Sequence, residues 1–393
     1  MTGHLWSLLI PVACGVGFVI SVTLTAVIRR LAPGWGLVDR PNARKVHVVP
    51  TPLGGGLAVF AGVALPLATG LVVAFAVAHA GTMASGGPPE AWVVAARGVV
   101  YRAPQLLAVL VGGLALVVMG LIDDLRNLRW QPKLLIQFLV AGGMVLSGIH
   151  LTAFLQVPWA GPLLTVLWIV VLTNAFNFLD NMDGLSSGIA VIASVNLAVI
   201  MLTGTNEPRW FVAGFLCLLA GSLIGFLVHN FPPAKIFMGD AGSCFLGFAL
   251  ATMTVLGTFY DYEQNNPHVL LAPLCVLAVP LYDFSSVVVI RLSQGRSPFH
   301  ADKNHFSHRL VELGFSKKYA VLTIHLVTLT TGLGGLLMYH VPGWAGATLI
   351  LCMEGCLLAV ICVIETAARR AARARLALED DPAPVPPVPP NAV

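Results

Sequence analysis

Four stretches of this chain carry side chains suited to phosphate and metal chemistry. They read LIDDLRNLRWQPK around Asp123 and Asp124, NAFNFLDNMDG around Asp180 and Asp183, HNFPPAKIFMGDAGS around Asp240, and RLSQGRSPFHADKNHFSHRL from Arg291 to Leu310. In the second, Asn174, Asn177, Asp180 and Asp183 recur every three residues, a spacing that keeps helical neighbours on one face with a slow drift. Five carboxylates drawn together repel one another, so a cation is their natural companion. Hard oxygen donors with open positions suit Mg²⁺ or Mn²⁺ rather than zinc. The fourth stretch brings Arg291, Arg296, Lys303, His305, His308 and Arg309, groups that bind phosphate oxygens and neutralise charge in a transition state. The spacing of His300, His305 and His308 has little of the logic of a zinc site.

The elements that must position these groups are apolar. Of the 393 residues, 57% are hydrophobic and 10% charged, against roughly 25% charged in a soluble domain. Uncharged runs of about 20 residues recur, the length of a helix crossing hydrocarbon roughly 30 Å thick. The chain therefore reads as an all-α polytopic membrane protein. Eleven spans are expected, at 5–28, 53–80, 105–122, 133–155, 160–178, 185–204, 209–229, 241–260, 268–290, 320–340 and 344–364. Nineteen of the 22 Lys and Arg fall in the loops that bear the four stretches, in 29–52 and after 365, and only Arg97, Arg102 and Arg209 fall opposite. The positive-inside rule makes the first side cytoplasmic, with the N-terminus outside and the C-terminus inside. The first span has no basic residue before it and reads as a retained helix rather than a cleaved signal. One transmembrane domain, 1–365, is expected, followed by a basic and then proline-rich tail, 366–393, that reads as disordered.

A pore or pump places ionisable groups deep within its helices. This chain has few of those: among its acids Glu354 and Asp283 lie within spans, and the other acids of interest gather on one face, which argues against an anionic-solute transporter. Pro280 and Asp283 suggest a bent ninth span that opens a lateral groove. The glycines of PTPLGGGLAV, 50–59, serve either close helix packing or an anion, packing being favoured. The loop 81–92 holds turn residues and no evident chemistry. All seven cysteines lie in or beside apolar segments and read as small buried hydrophobes, so neither a disulfide nor a zinc site is expected; no nucleic-acid partner is expected.

Taken together and in this order, from GLVDRPNARKVH near residue 36 to the loop ending near 318, the stretches resemble the polyprenyl-phosphate N-acetylhexosamine-1-phosphate transferases, glycosyltransferase family 4. The resemblance implies transfer of a sugar 1-phosphate from a UDP-sugar to a membrane polyprenyl phosphate such as undecaprenyl phosphate, with release of UMP and a requirement for Mg²⁺. It also implies a multi-pass protein of the bacterial plasma membrane with its site on the cytoplasmic face. Homodimers occur in the family. GLVDRPNARKVH and SPFHADKNHFSHRL look like the branch that starts surface polymers from UDP-N-acetylglucosamine. The peptidoglycan branch, which uses UDP-N-acetylmuramoyl-pentapeptide, has three consecutive histidines where this chain reads His305, Phe306, Ser307, His308.

Residue by residue, the resemblance makes Asp123 and Asp124 the pair at the metal and lipid-phosphate end, with Asp123 and Asp240 toward the metal. Asn177, Asp180 and Asp183 match NxxDxxDG in the nucleotide-sugar site, Asp183 among the catalytic groups. Asn230 stands at the family's asparagine position ahead of Asp240. Arg291 and His305 match the last-loop arginine and first histidine, expected with His308 at the donor's phosphates. The branch usually reads HxHH, so Ser307 replaces a histidine.

Overall fold

The computed structural model describes residues 2–41, 49–80, 88–151, 157–204, 208–257, 266–299, 302 and 304–379. In chain order the helices are α1 (Thr2–Leu31), α2 (Gly55–Ala80), α3 (Glu90–Tyr101), α4 (Ala103–Arg126), α5 (Trp130–Leu146), α6 (Ala160–Leu179), α7 (Leu185–Thr203), α8 (Trp210–Asn230), α9 (Gly239–Leu256), α10 (Ala272–Val276), α11 (Ala278–Ser293), α12 (Phe306–Glu312), α13 (Lys317–Leu337) and α14 (Gly343–Glu379). Two-residue strands β1 (Val38–Asp39) and β2 (Thr51–Pro52) pair antiparallel ahead of α2. Among the described residues, nine helices are long and apolar enough to cross a membrane.

Two expectations change, while the expected bend in the ninth span is present: Pro267–Val276 and Ala278–Ser293 meet at 68°, with the break at Leu277. Proline lacks an N–H and its ring crowds the carbonyl four residues back, here Val276, so the chain turns just after that residue. Glu90–Tyr101 is helical where no element was expected, and it packs chiefly on α2. α14 runs through the basic stretch to Glu379, because the Ala- and Arg-rich run consists of strong helix formers; the expected disordered tail is helical to that point, and residues 380–393 lie outside the described set.

α9 is the axis of the molecule. Every residue from Gly239 to Val255 is buried except Asp240. α2, α4 and α6 pack around it, α7 and α8 behind, with α1 along α8 and α13 along α7. Lipid offers no hydrophobic drive between helices, so close backbone approach through small residues holds such bundles. A β-carbon on Gly56 of α2 would lie 2.2 Å from the Gly242 nitrogen, and one on Gly120 of α4 would lie 2.2 Å from the Ala241 nitrogen. Both contacts fall at the first turn of α9, so α2 and α4 are pressed against the helix start that carries Asp240. The glycine run at 54–56 therefore serves packing, as favoured. Its N–H groups are occupied, Gly55 donating to Phe237 O and Gly56 to Met238 O.

Candidate active site

α4 ends in a tight turn. Asn127 adopts a left-handed conformation (φ 50°) and its N–H returns to Asp123 O. α5 then starts at Trp130, and its first turn brings Lys133 back over the end of α4. The Lys133 ammonium is hydrogen-bonded to Asp123 Oδ2 and lies 3.1 Å from Asp240 Oδ2. The Leu128 N–H caps the other oxygen of Asp123 at 2.6 Å. Asp124 faces α9 instead: its Oδ1 accepts the Asp240 N–H at 2.9 Å, while its Oδ2 is buried with no hydrogen-bond partner. Gly239, at φ 76°, leaves room for this carboxylate, since a β-carbon there would meet Asp124 Oδ2 at 2.5 Å. Three acids from two helices thus gather at one place: Asp123 and Asp240 share the Lys133 cation, and Asp124 is tied to the Asp240 backbone.

The NFLDNMDG segment closes one side. Asn177, on the last turn of α6, donates to Ser243 Oγ at 3.0 Å and lies within hydrogen-bonding reach of Asp240. Asp180 accepts the Ser186 hydroxyl at 2.6 Å. Burial pushes its carboxyl up to about 7 despite that bond, and the neighbouring Asp240 and Asp183 carboxylates add to the rise. Asp183 accepts the Ala234 N–H at 2.9 Å, tying the segment to the chain that leads into Asp240. Asn230 is buried and its amide is spent on structure: Oδ1 accepts from Gly184 N and Ser187 Oγ, and Nδ2 donates to Ile236 O. These bonds brace the loop that leads into Asp240.

The last loop docks on the end of α6. Arg291, 2% exposed, directs its guanidinium at both oxygens of Asp302 (3.1 Å each) and at Pro298 O. Against the cost of burial, the bonds from Arg291 and Asn304 hold the Asp302 carboxyl down at about 2. Arg291 also stacks over Phe178, 4.8 Å from its centroid, and His305 meets the same ring edge-on at 5.8 Å. Arg291 shapes the loop; its fork is filled by Asp302. His308 lies beside His305, with ring centroids 6.3 Å apart. Ser307 is buried, and its hydroxyl donates to Asn181 Oδ1, so the residue standing in for a histidine clamps the last loop to the NFLDNMDG segment. The basic residues 43–47, His300 and Lys303 lie outside the described residues.

Residues 106–258 match the sequence profile of Glycosyl transferase family 4. A Bacillus subtilis protein named probable undecaprenyl-phosphate N-acetylglucosaminyl 1-phosphate transferase is 32% identical over 348 residues, covering 85% of this chain and 87% of its own. This chain belongs to glycosyl transferase family 4. A Mycolicibacterium smegmatis family member, named decaprenyl-phosphate N-acetylglucosaminephosphotransferase, is 35% identical over 332 residues, with 78% and 77% covered. A third, the undecaprenyl-phosphate alpha-N-acetylglucosaminyl 1-phosphate transferase of Yersinia pestis, is 27% identical over 350 residues, with 85% and 86% covered.

In this family 4 member, the structure adds residues that the sequence reading did not single out. Lys133 is the main one: it lay in a quoted stretch, but only the α4–α5 turn shows that it returns to Asp123. Trp130 and Phe299 are others. Their rings stack at 4.3 Å and 2°, joining the start of α5 to the last loop. Replacing Lys133 with methionine leaves Asp123 and Asp240 facing each other without their shared cation. The expected result is a loss of turnover on the order of 10²-fold, read as product nucleotide per unit time in purified protein; near-wild-type turnover would remove Lys133 from the site.

Proposed function

We propose that this protein transfers N-acetylglucosamine 1-phosphate from UDP-N-acetylglucosamine to a polyprenyl phosphate and releases UMP, as the first membrane step of a cell-envelope polysaccharide. The observation that carries this reading is that Asp123 and Asp240 share Lys133, with Asp124 bonded to the Asp240 N–H beside them, where apolar helices α4 and α9 meet polar loops. An acceptor's phosphate lies at the headgroup level with its tail in hydrocarbon, while a nucleotide sugar comes from water, so a site at a helix end meets both. The excess of Lys and Arg on that side supports a cytoplasmic location. The relatives' names, which specify N-acetylglucosamine, support that donor over a muramoyl-pentapeptide.

The residues present fit a hard dication. Asp123 and Asp240 already aim oxygens at one cationic group, and Asp124 keeps a buried oxygen without a partner. Among the described residues no three carboxylate, His or Cys groups form a metal cluster, but Mg²⁺ is usually held by one or two carboxylates completed by substrate phosphates. Asp240 and Asp123 would hold the ion, and it would supply Lewis-acid polarisation of the donor pyrophosphate.

In the reaction a lipid-phosphate oxygen attacks the β-phosphorus, and the bond from that phosphorus to the bridging oxygen breaks, that oxygen leaving on UMP. A phosphate second pKa of about 6 leaves the lipid phosphate largely ionised at neutral pH, so positioning and charge neutralisation supply most of the rate. Asp124 steers the acceptor and holds the Asp240 backbone. Lys133 neutralises the carboxylates that would repel both phosphates. His305 and His308 meet the donor's phosphates, and Asn177, Asp180 and Asp183 line the nucleotide-sugar side.

The test is a donor screen with purified protein, Mg²⁺ and undecaprenyl phosphate, following UMP. UDP-N-acetylglucosamine is expected to turn over and UDP-N-acetylmuramoyl-pentapeptide not to. EDTA should abolish release and added Mg²⁺ restore it. Turnover that persists in EDTA would reject the metal assignment, and release from the pentapeptide donor alone would reject the sugar.

A further inference from the structure

The Asp283 carboxylate is fully buried within the apolar α11. An ionisable group there is costly unless it is paired and hydrogen-bonded. Both of its oxygens leave α11 for the last loop: Oδ2 lies 2.9 Å from His305 Nδ1, and Oδ1 accepts the Phe306 N–H at 2.6 Å. The break at Leu277 turns α11 away from α10 and gives this helix its own path toward that loop. His305 is 7% exposed and rests edge-on against Phe178. A carboxylate facing Nδ1 keeps the proton on that nitrogen, so the ring has one tautomer and one orientation, with Nε2 as its other edge. Arg291 and Asp302 lock the same loop from the other end, leaving His305 little freedom to turn.

We propose that Asp283 is a positioning residue for the transfer reaction: it fixes the tautomer and orientation of His305 so that Nε2 meets the donor's phosphate oxygens. The proposal rests on the transferase reading above. A purely structural role, capping the Phe306 N–H at the start of α12, is the competing explanation. Asp283→Asn separates the two, because an amide oxygen still accepts from Phe306 N–H while the carboxylate facing Nδ1 is gone.

The experiment measures kcat and donor KM by UMP release from full-length protein in detergent, with UDP-N-acetylglucosamine and undecaprenyl phosphate. It compares wild type, Asp283→Asn, His305→Gln and the double variant, with thermal unfolding recorded for each. Asp283→Asn is expected to lower kcat on the order of 10- to 100-fold with a smaller change in KM. In the His305→Gln background the same change should cost nothing further, since its target has gone. An equal cost in both backgrounds, or a single variant within about threefold of wild type, would overturn the proposal. Should Asp283→Asn fail to fold, His305→Asn decides: its amide can still donate to Asp283 but has no counterpart of Nε2. It should unfold at the wild-type temperature and be inactive, and activity within about threefold of wild type would overturn the proposal. A wild-type protein that releases no UMP fails the transferase reading itself; a wild type that turns over while the costs add fails only the role of Asp283.

Discussion

Asp240→Ala is expected to abolish UMP release, a loss on the order of 10³-fold or more, in protein that still inserts and purifies. The side chain removed is the one in the first turn of α9 that reaches Lys133 and stays one-third exposed (33%) to a ligand. What stays is the fold around it. The backbone N–H of residue 240 keeps its bond to Asp124, and the glycine-lined contacts of α9 with α2 and α4 do not involve the carboxylate. Asp123→Asn should act in the same way from the other side of Lys133, since it removes a charge and keeps the shape. Both variants are assayed against wild type at saturating donor and lipid. Full activity in either one would dissolve the proposed site, because the gathering of acids around one cation is the observation on which it stands.

Gly120→Val is the second large effect, and it acts through distance. A β-carbon at residue 120 would sit 2.2 Å from the Ala241 nitrogen and 2.4 Å from the Asp240 carbonyl carbon. These are backbone atoms of the molecule's most buried helix and cannot swing aside, so α4 must move away from α9. Overpacking of this kind costs roughly 1–3 kcal/mol, which lowers the unfolding temperature in detergent. The same movement draws Asp123 and Asp124 away from Asp240, so activity should fall further than stability, with turnover near background in protein that remains folded. Gly142→Ala on α5 is the control: a β-carbon there meets nothing within 4 Å, and both readouts should stay at wild-type values. A Gly120→Val protein of normal turnover would mean that the α4–α9 approach does not set the site.

The two variants probe different levels of information. Asp240, Asp123, Asp180 and Asp183 were visible in the sequence, because carboxylates at the ends of long apolar runs stand out in a chain this poor in charge. The helices were visible for the same reason: each of the eleven expected apolar stretches holds helical structure, although only nine of the described helices are long and apolar enough to cross a membrane. α3 was hidden because its sequence mixes small, apolar and charged residues without a span's length. Gly120 gave no such signal, since glycine is common in membrane helices and its use depends on what lies opposite; Gly56 stood out only as part of a glycine run. Arg291 and Asn230 were legible as polar residues in motif positions, but not as an ion-paired loop lock and a buried brace.

By itself, the amino-acid order determined an all-helical membrane protein, the polar face on which its acids collect, and a family resemblance resting on four motifs. Those properties are local, set by run length, charge spacing and residue type along a few turns of chain. The tertiary structure alone decided that Asp123 and Asp240 share Lys133, that Asp124 holds the start of α9, and that Asp283 faces His305. Such pairs are far apart in the chain, and hydrophobic periodicity does not say which helix packs on which. In lipid, where every helix surface is equally at ease, that choice is made by backbones meeting at glycines and by buried polar groups finding partners.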